Sequence, residues 1–311
     1  MSEKQVLTHS AIQAYKDCPA KYRHRYVDCL DSTAPISTNL SIGSAIHSAL
    51  ELWHGGHDWD AVRDYLLRAP VSGDAYLQCV AMMRGYVKQY PRGSEKFEVI
   101  CLEKAFSQPI RSPSTGGMST KYTQEGKVDG VIKLDGEYYL MEHKTAAKAD
   151  HNYFDKLWID RQIHQYAHYM GLELGIEIVG VLYNVLAKLK RPRHGLRAKL
   201  KSPETDESYL TRLFAAYEDP ALFIRQTLPV IERTSDEVIE EVWDVKNLIM
   251  ASAKDDKYYL NTNSCHKWGR RCRYWELCRS GSDEAVKREL YVPREKHEEL
   301  IEASATSSFM I

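Results

Sequence analysis

The chain has 311 residues, 43% of them hydrophobic, with 42 Lys and Arg against 43 Asp and Glu. That apolar content suffices for one large domain or two small ones, and the charge balance gives no general pull toward nucleic acid, though it would not hide a local basic patch. The opening MSEKQVLTHS has no apolar signal core and no run of 18 apolar residues follows, so neither a secretion signal nor a membrane span is expected and the default compartment is the cytoplasm.

The N-terminal part reads as helical. HSAIQAYKDCPAKYRHRYVDCL has Ser10 as an N-cap and apolar or aromatic residues near helical spacing, with Pro19 dividing it into two helices. SIGSAIHSALELWHGG is a helix ended by Gly55-Gly56, and residues 58–90 continue helical up to Pro91. KFEVICLEKAF then alternates as a strand, and the loop RSPSTGGMSTK leads into GKVDGVIKLDGEYYLMEHKTA, two strand-like runs around Asp135-Gly136. NYFDKLWIDRQIHQYAHYMGLEL reads as one long amphipathic helix ending near Gly175, and EIVGVLYNVLA as a buried strand. The remainder is expected to be mainly helical to about residue 255. Beyond residue 280 the chain is charged and then Ser-rich, as a loosely ordered tail would be. The order α, β, β, β, α, β with helices on either side suits an α/β fold with a mixed central sheet. The expected organisation is a single domain over residues 1–281, with a helical part at 1–92, a core at 93–187, a closing part at 204–281 and a flexible tail at 282–311.

The hairpin carries the chemistry. If Asp135-Gly136 is a two-residue loop, residue 134 faces 137, and counting back places Asp129 opposite Glu142, with Cβ atoms about 5 Å apart. Lys144, two residues on from Glu142, shares their face. Like charges placed opposite each other destabilise a sheet unless something neutralises them, and a divalent cation would do so. Carboxylate oxygens suit Mg²⁺ or Mn²⁺, whose bound water can attack phosphorus while a lysine stabilises developing charge. The plainer alternative is a charged network on a solvated sheet face, and a register slip of one residue would scatter the set. His47, in GSAIHSALELW, is a candidate further ligand, although a lone histidine is more often structural. Gln162 and Tyr166 lie four apart on one helix face, where ordinary packing is the simpler role.

These residues resemble the PD-(D/E)XK nuclease superfamily: Asp129, then Glu142-x-Lys144, with His47 in a Gly-x-x-x-His helix and Gln162-x-x-x-Tyr166 following, as in its RecB-like branch of CRISPR-associated and phage exonucleases. The resemblance spans most of residues 8–280. Each motif alone is weak, and their order and spacing are more specific. It implies a restriction-endonuclease-like αβββαβ core, with Mg²⁺ or Mn²⁺ held by His47, Asp129, Glu142 and the backbone carbonyl of His143. It further implies Lys144 as the catalytic lysine and Gln162 and Tyr166 as residues that support the site or touch DNA. His143 stands where the family often has an apolar residue, and it is expected to face the opposite side of the strand.

Seven cysteines are present, and in a reducing compartment a cluster of them points to metal or redox chemistry before disulfides. Cys265, Cys272 and Cys278 are spaced C-x6-C-x5-C, without the C-x2-C of common zinc sites, and Cys18 is the better candidate for a fourth ligand than His266. Iron–sulfur members of the RecB-like branch pair a Y-x-x-C-P segment, matched by Tyr15 and Cys18-Pro19, with three C-terminal cysteines. The resemblance thus implies a structural 4Fe-4S cluster on Cys18, Cys265, Cys272 and Cys278. Zinc and free thiols are the alternatives. Cys29, Cys79 and Cys101 read as packing residues.

The segment KLKRPRHGLRAKLK holds seven Lys and Arg and no acid, so Lys188, Lys190, Arg191, Arg193 and Arg197 are candidate phosphate contacts, against the alternative of a solvated loop. Tyr22, Arg23, Arg25 and Tyr26 mix rings and cations as a single-strand surface does, unless the tyrosines are core. The expected activity is a metal-dependent DNA exonuclease acting on single strands or duplex ends. The alternatives are an endonuclease of restriction or mobile-element type and a catalytically silent DNA-binding subunit. Protein partners from recombination or CRISPR adaptation fit the resemblance, and host repair is equally open.

Overall fold

The computed structural model describes residues 4–34, 38–147, 151–190, 204–267, 269–298 and 300. Strand β1 (Gln5–Leu7) leads into helices α1 (His9–Asp17) and α2 (Pro19–Tyr22), a π-helical turn at Arg23–Val27 and strand β2 (Leu30–Ser32). The α1 cap is Thr8, whose hydroxyl accepts the Ala11 N–H at 3.1 Å, and not Ser10, which lies inside the helix. Pro19 starts α2, where the N–H that proline lacks would have no partner anyway. Helices α3 (Thr38–His54), α4 (Trp59–Arg68) and α5 (Asp74–Gln89) follow; residues 58–90 thus form two helices, parted at Gly73, whose φ of 54° no helix admits.

Strands β3 (Phe97–Arg111), β4 (Met118–Leu134) and β5 (Glu137–Ala146) form a long antiparallel meander. Short helix α6 (His151–Asp155) and a 3₁₀ turn at Lys156–Ile159 precede α7 (Arg161–Leu174), which Asp160 caps and Gly175 ends with a left-handed φ of 66°. The expected single long helix is therefore broken at Asp160, because its carboxylate binds the Gln162 N–H in place of a helical turn. Strand β6 (Ile178–Ala187), helix α8 (Asp206–Ala216), strand β7 (Phe223–Pro229) and helix α9 (Glu232–Asp255) complete the core. Strand β7 interrupts the stretch expected to be helical; among the described residues it is an edge strand on β6, so its sequence is too polar to announce it.

Among the described residues six strands form one mixed sheet. β3 runs along one side of β4; β1 and β5 share the other, and β6 and β7 extend the sheet beyond β5. The β1–β4 and β5–β6 pairs are parallel. One face is covered by α3, α5 and α8 over a core that includes Leu50, Met82, Leu186 and Phe223. The other is covered by α7 over Val131, Leu140, Ile163 and Tyr183. This is the mixed α/β fold expected, a restriction-endonuclease-like core with added edge strands. Among the described residues no helix is long and apolar enough to cross a membrane.

The C-terminal part holds small strands β8 (His266–Lys267) and β9 (Arg270–Arg271), then α10 (Trp275–Arg279), α11 (Glu284–Leu290) and β10 (Tyr291–Pro293). The segment after residue 280 is thus not all loosely ordered: β10 pairs antiparallel with β2, and Tyr291 is buried beside Leu30 and Tyr274. Its charged composition concealed that single buried ring.

Gly85 tests the α5–α8 packing. A Cβ there would sit 2.6 Å from the Tyr217 carbonyl oxygen and 2.9 Å from the Phe223 ring. Helix propensity favours alanine by roughly 1 kcal/mol, but overpacking costs about 1–3 kcal/mol, so Gly85→Ala is expected to lower the melting temperature by several degrees in calorimetry. A raised Tm would refute the close approach.

Candidate active site

The site is built where β4 and β5 part. Asp135 and Gly136 have φ of 51° and 90°, the doubly left-handed turn whose twist matches a hairpin. From it the ladder runs from Leu134 opposite Glu137 back to Gly130 opposite Met141. The next pair in that register is Asp129 and Glu142. There the backbone bonding gives way to a side chain: Asp129 Oδ2 accepts the His143 N–H at 2.7 Å. A residue's N–H and C=O leave a strand on the same side, so the His143 carbonyl also faces the gap beside Asp129.

Helix α3 delivers His47, whose Nδ1 lies 3.3 Å from Asp129 Oδ1. Lys144 pairs with Glu142 Oε1. The carboxylate side chains are largely withdrawn from water, Glu142 at 7% and Asp129 at 14% exposure, while His47 and Lys144 stay about one-third accessible. Burial alone would raise Asp129, but the His47 ring and hydrogen bond outweigh it and hold this carboxyl well below its usual range. The same contact outweighs burial at His47 and raises its pKa. Burial and the Asp129 charge push Glu142 up against the opposing Lys144, which Glu142 in turn keeps firmly protonated.

Behind this cluster lies a buried polar network. The His143 ring faces away from Glu142 and stacks on His54 at 5.4 Å and 16°. Asn184 Nδ2 lies 2.9 Å from both His143 Nδ1 and the Tyr86 hydroxyl. Arg225 donates to Tyr86 at 2.6 Å and grips Glu95 with two nitrogens at 2.5 and 2.9 Å. Burial and Arg225 drive His54 down to about 3, and burial drives His143 well below its usual value, so both rings are neutral. The network fixes the backbone of β5 at the residue whose carbonyl faces the gap.

Other residues crowd the same place. Asp160, the α7 cap, and Tyr153 are within electrostatic reach of Lys144. Glu51 lies one helical turn after His47; burial and then Glu103 push its carboxyl up to about 7. Glu103 on β3 pairs with Lys127 on β4. Sequence reading missed these four: the His47–Glu51 spacing of four was a visible signal, whereas Glu103 had none.

The remaining candidates are placed unevenly. Gln162 is half-buried in the first turn of α7, its N–H bound to Asp160. Tyr166 is buried and packs edge-on against Phe106 and His9, an aromatic core position. Tyr22 and Tyr26 are also core, and Arg23 pairs with Asp28 and Asp256, so that segment is no exposed stacking surface. Lys188 is half-buried with its backbone N–H on Ala146, and Lys190 is exposed; Arg191, Arg193 and Arg197 lie outside the described residues.

Cys18, Cys265, Cys272 and Cys278 line one small cavity, joining the α1–α2 junction to the β8–α10 region. The Asn261 N–H points at Cys18 Sγ at 3.3 Å, Cys272 N–H donates to the Cys265 carbonyl at 2.8 Å, and His24 lies 3.7 Å from Cys278 Sγ. Burial and the neighbouring sulfurs raise Cys278 to about 11. Cys79 is fully buried elsewhere.

Among the described residues, no group of three or more His, Cys, Asp or Glu is drawn in to metal-ligating geometry. The donor types nonetheless fit: two buried carboxylates, an imidazole and a backbone carbonyl suit a hard divalent ion, and four thiols around one cavity suit a thiophilic centre.

No curated protein matches the sequence. Among the solved structures that match are SSO0001, at 11% identity and a TM-score of 0.35 over 80% of this chain and 78% of the other, and a candidate exonuclease from Eubacterium rectale, at 10% and 0.44 over 88% and 87%. Both scores are low, and assignment rests on the sequence, which matches the PD-(D/E)XK nuclease superfamily over residues 6–279. The chain belongs to that superfamily.

Proposed function

We propose that the chain is a divalent-metal-dependent DNA exonuclease with a structural iron–sulfur cluster. The observation that carries the reading is the meeting of His47, Asp129, Glu142 and Lys144 at the splayed end of β4 and β5. His47, Asp129, Glu142 and the His143 carbonyl would hold Mg²⁺ or Mn²⁺. When bound, that ion supplies an activated water and neutralises charge on the phosphate oxygens. Lys144 is held protonated beside Glu142, so its part would be electrostatic, facing the charge that develops on the scissile phosphate. In the hydrolysis a water oxygen would bond to phosphorus and give up one proton to solvent, while the ester bond to the departing sugar oxygen breaks and that oxygen takes one proton from solvent. Lys188, Lys190 and the arginines beyond them, with Gln162 at the start of α7, are the proposed DNA contacts. Action at ends is supported by resemblance to the RecB-like branch.

The gathering of Cys18 with the C-terminal cysteines supports the cluster, in which iron would relieve the mutual repulsion of four thiolates. Brown protein with about four iron and four sulfide per chain is expected after anaerobic purification. Colourless protein with stoichiometric zinc would defeat this assignment and leave the nuclease standing.

Glu142→Ala and Lys144→Ala are each expected to slow degradation of end-labelled DNA by about a hundredfold or more in Mg²⁺ or Mn²⁺. Equal degradation by native and variant protein would sink the site. Efficient cutting of closed circles would make the enzyme an endonuclease, and DNA binding without cleavage a silent subunit.

The His47 proton and the metal compete for one imidazole. Because Asp129 raises the His47 pKa, the ring keeps its proton above the usual histidine range, and lowering the pH favours that proton over the ion. Mn²⁺ affinity in calorimetric titration should therefore fall from pH 8 to pH 6, and His47→Gln should flatten the dependence. An unchanged slope in the variant would remove His47 from the ligand set.

A further inference from the structure

Strand β6 places Tyr183 level with Glu142 of β5 in their parallel ladder. Residues paired across neighbouring strands point to one face, so the phenol and the carboxylate both lie on the side that α7 covers. Tyr183 is 0% exposed, and among the described residues its hydroxyl has no hydrogen-bond partner. Asp160, Glu142 and Tyr153 lie within electrostatic reach of that oxygen. A buried hydroxyl left unbonded is a cost that native folds rarely carry without a reason. Here the groups around it belong to the candidate active site.

Glu142 has the complementary difficulty. Its Oε1 pairs with Lys144, whose side chain is partly open to water while that of Glu142 is not. Lys144 is therefore the member of the pair that can turn outward. Under the nuclease reading it faces the scissile phosphate, and a phosphate oxygen that draws on the ammonium weakens its hold on Glu142. A buried carboxylate oxygen is then short of a donor, which is costlier than an unbonded hydroxyl. The other acid in reach of Tyr183, Asp160, already accepts the Gln162 N–H at 2.9 Å as the α7 cap.

We propose that Tyr183 is a positioning residue that takes over Glu142 when Lys144 turns to the phosphate: its hydroxyl donates to the carboxylate oxygen that the lysine gives up. The inference rests on the nuclease reading and deepens it. No covalent bond changes; one hydrogen bond replaces another, and Glu142 keeps its place while its partner is in use. The hydroxyl unbonded in the resting protein and the carboxylate left short during the reaction thus satisfy each other. Tyr183 acts through Glu142 and, being fully buried, does not touch DNA.

Two substitutions in all four combinations test this on the full chain. Tyr183→Phe removes only the hydroxyl, and Lys144→Ala frees Glu142 permanently. In the native chain Tyr183→Phe should leave Tm unchanged or raise it, because it deletes an unbonded buried group. In the Lys144→Ala chain the hydroxyl already serves Glu142, so the same change should lower Tm by about 2 °C or more in calorimetry. With Lys144 present, Tyr183→Phe should lower kcat on end-labelled DNA in Mn²⁺ by about tenfold and leave KM nearly unchanged. A hydroxyl with a purely structural part would shift Tm alike in both backgrounds. The same Tm shift with and without Lys144, or a kcat equal to that of the native chain, overturns the proposal. A native chain that cleaves no DNA overturns the nuclease reading instead, and the two Tm differences still decide whether the hydroxyl serves Glu142.

Discussion

Two carboxylates facing each other across the splayed end of a hairpin set the terms for everything around them. Asp129 and Glu142 are both largely buried, and unpaired they would oppose folding. The protein answers with groups from three directions: Lys144 from the same strand, His47 from α3, and the His143 N–H where the ladder stops. Each answer requires a piece of architecture. α3 must cross the sheet at one height, the hairpin must keep its register for several pairs, and β5 must be held while its neighbour departs. The Tyr86–Asn184–Arg225–Glu95 network does the last of these, tying β5, β6, β7 and α5 together behind the site.

The same requirement explains why polarity is arranged in layers. In front of β5 lie groups that can change partners, since each carboxylate is matched by a cation partly open to water. Behind it lie neutral imidazoles and a fully engaged arginine, which do not titrate near neutrality. Charge is adaptable on one side of the strand and rigid on the other, which suits the proposed binding of an ion without movement of the backbone.

The hairpin was legible in the sequence because Asp135-Gly136 sets a register that counting can extend, and the observed ladder follows that count to Gly130 and Met141. The family signature was legible for the same reason: its acids and lysine are spaced by strand geometry. The break at Asp160 was not, because a side-chain cap competes with helix periodicity over only a turn. Strand β7 was hidden by its place at the sheet edge. Glu103 was illegible for a sharper reason. A bulge between Val99 and Cys101 shifts the register of β3 on β4; without it, Leu102 would face Asp129 and Glu103 would point to the other side, so a single extra residue decides whether Glu103 stands beside Asp129. The meeting of Cys18 with Cys265, Cys272 and Cys278 depends on chain closure over some 250 residues, which no local pattern encodes; the need for a fourth ligand made Cys18 a candidate, and the family resemblance pointed to the meeting itself.

That closure is not confined to the cysteines. The first strand lies parallel to β4, the Tyr15 hydroxyl reaches Leu248 and Ser252, and β2 finds its partner in β10. During synthesis on the ribosome β1 therefore waits for β4, α1 for α9, and β2 for β10. Long-range closure of this kind is slow to form. Completion of β2 is thus coupled in time to the synthesis of β10, far along the chain.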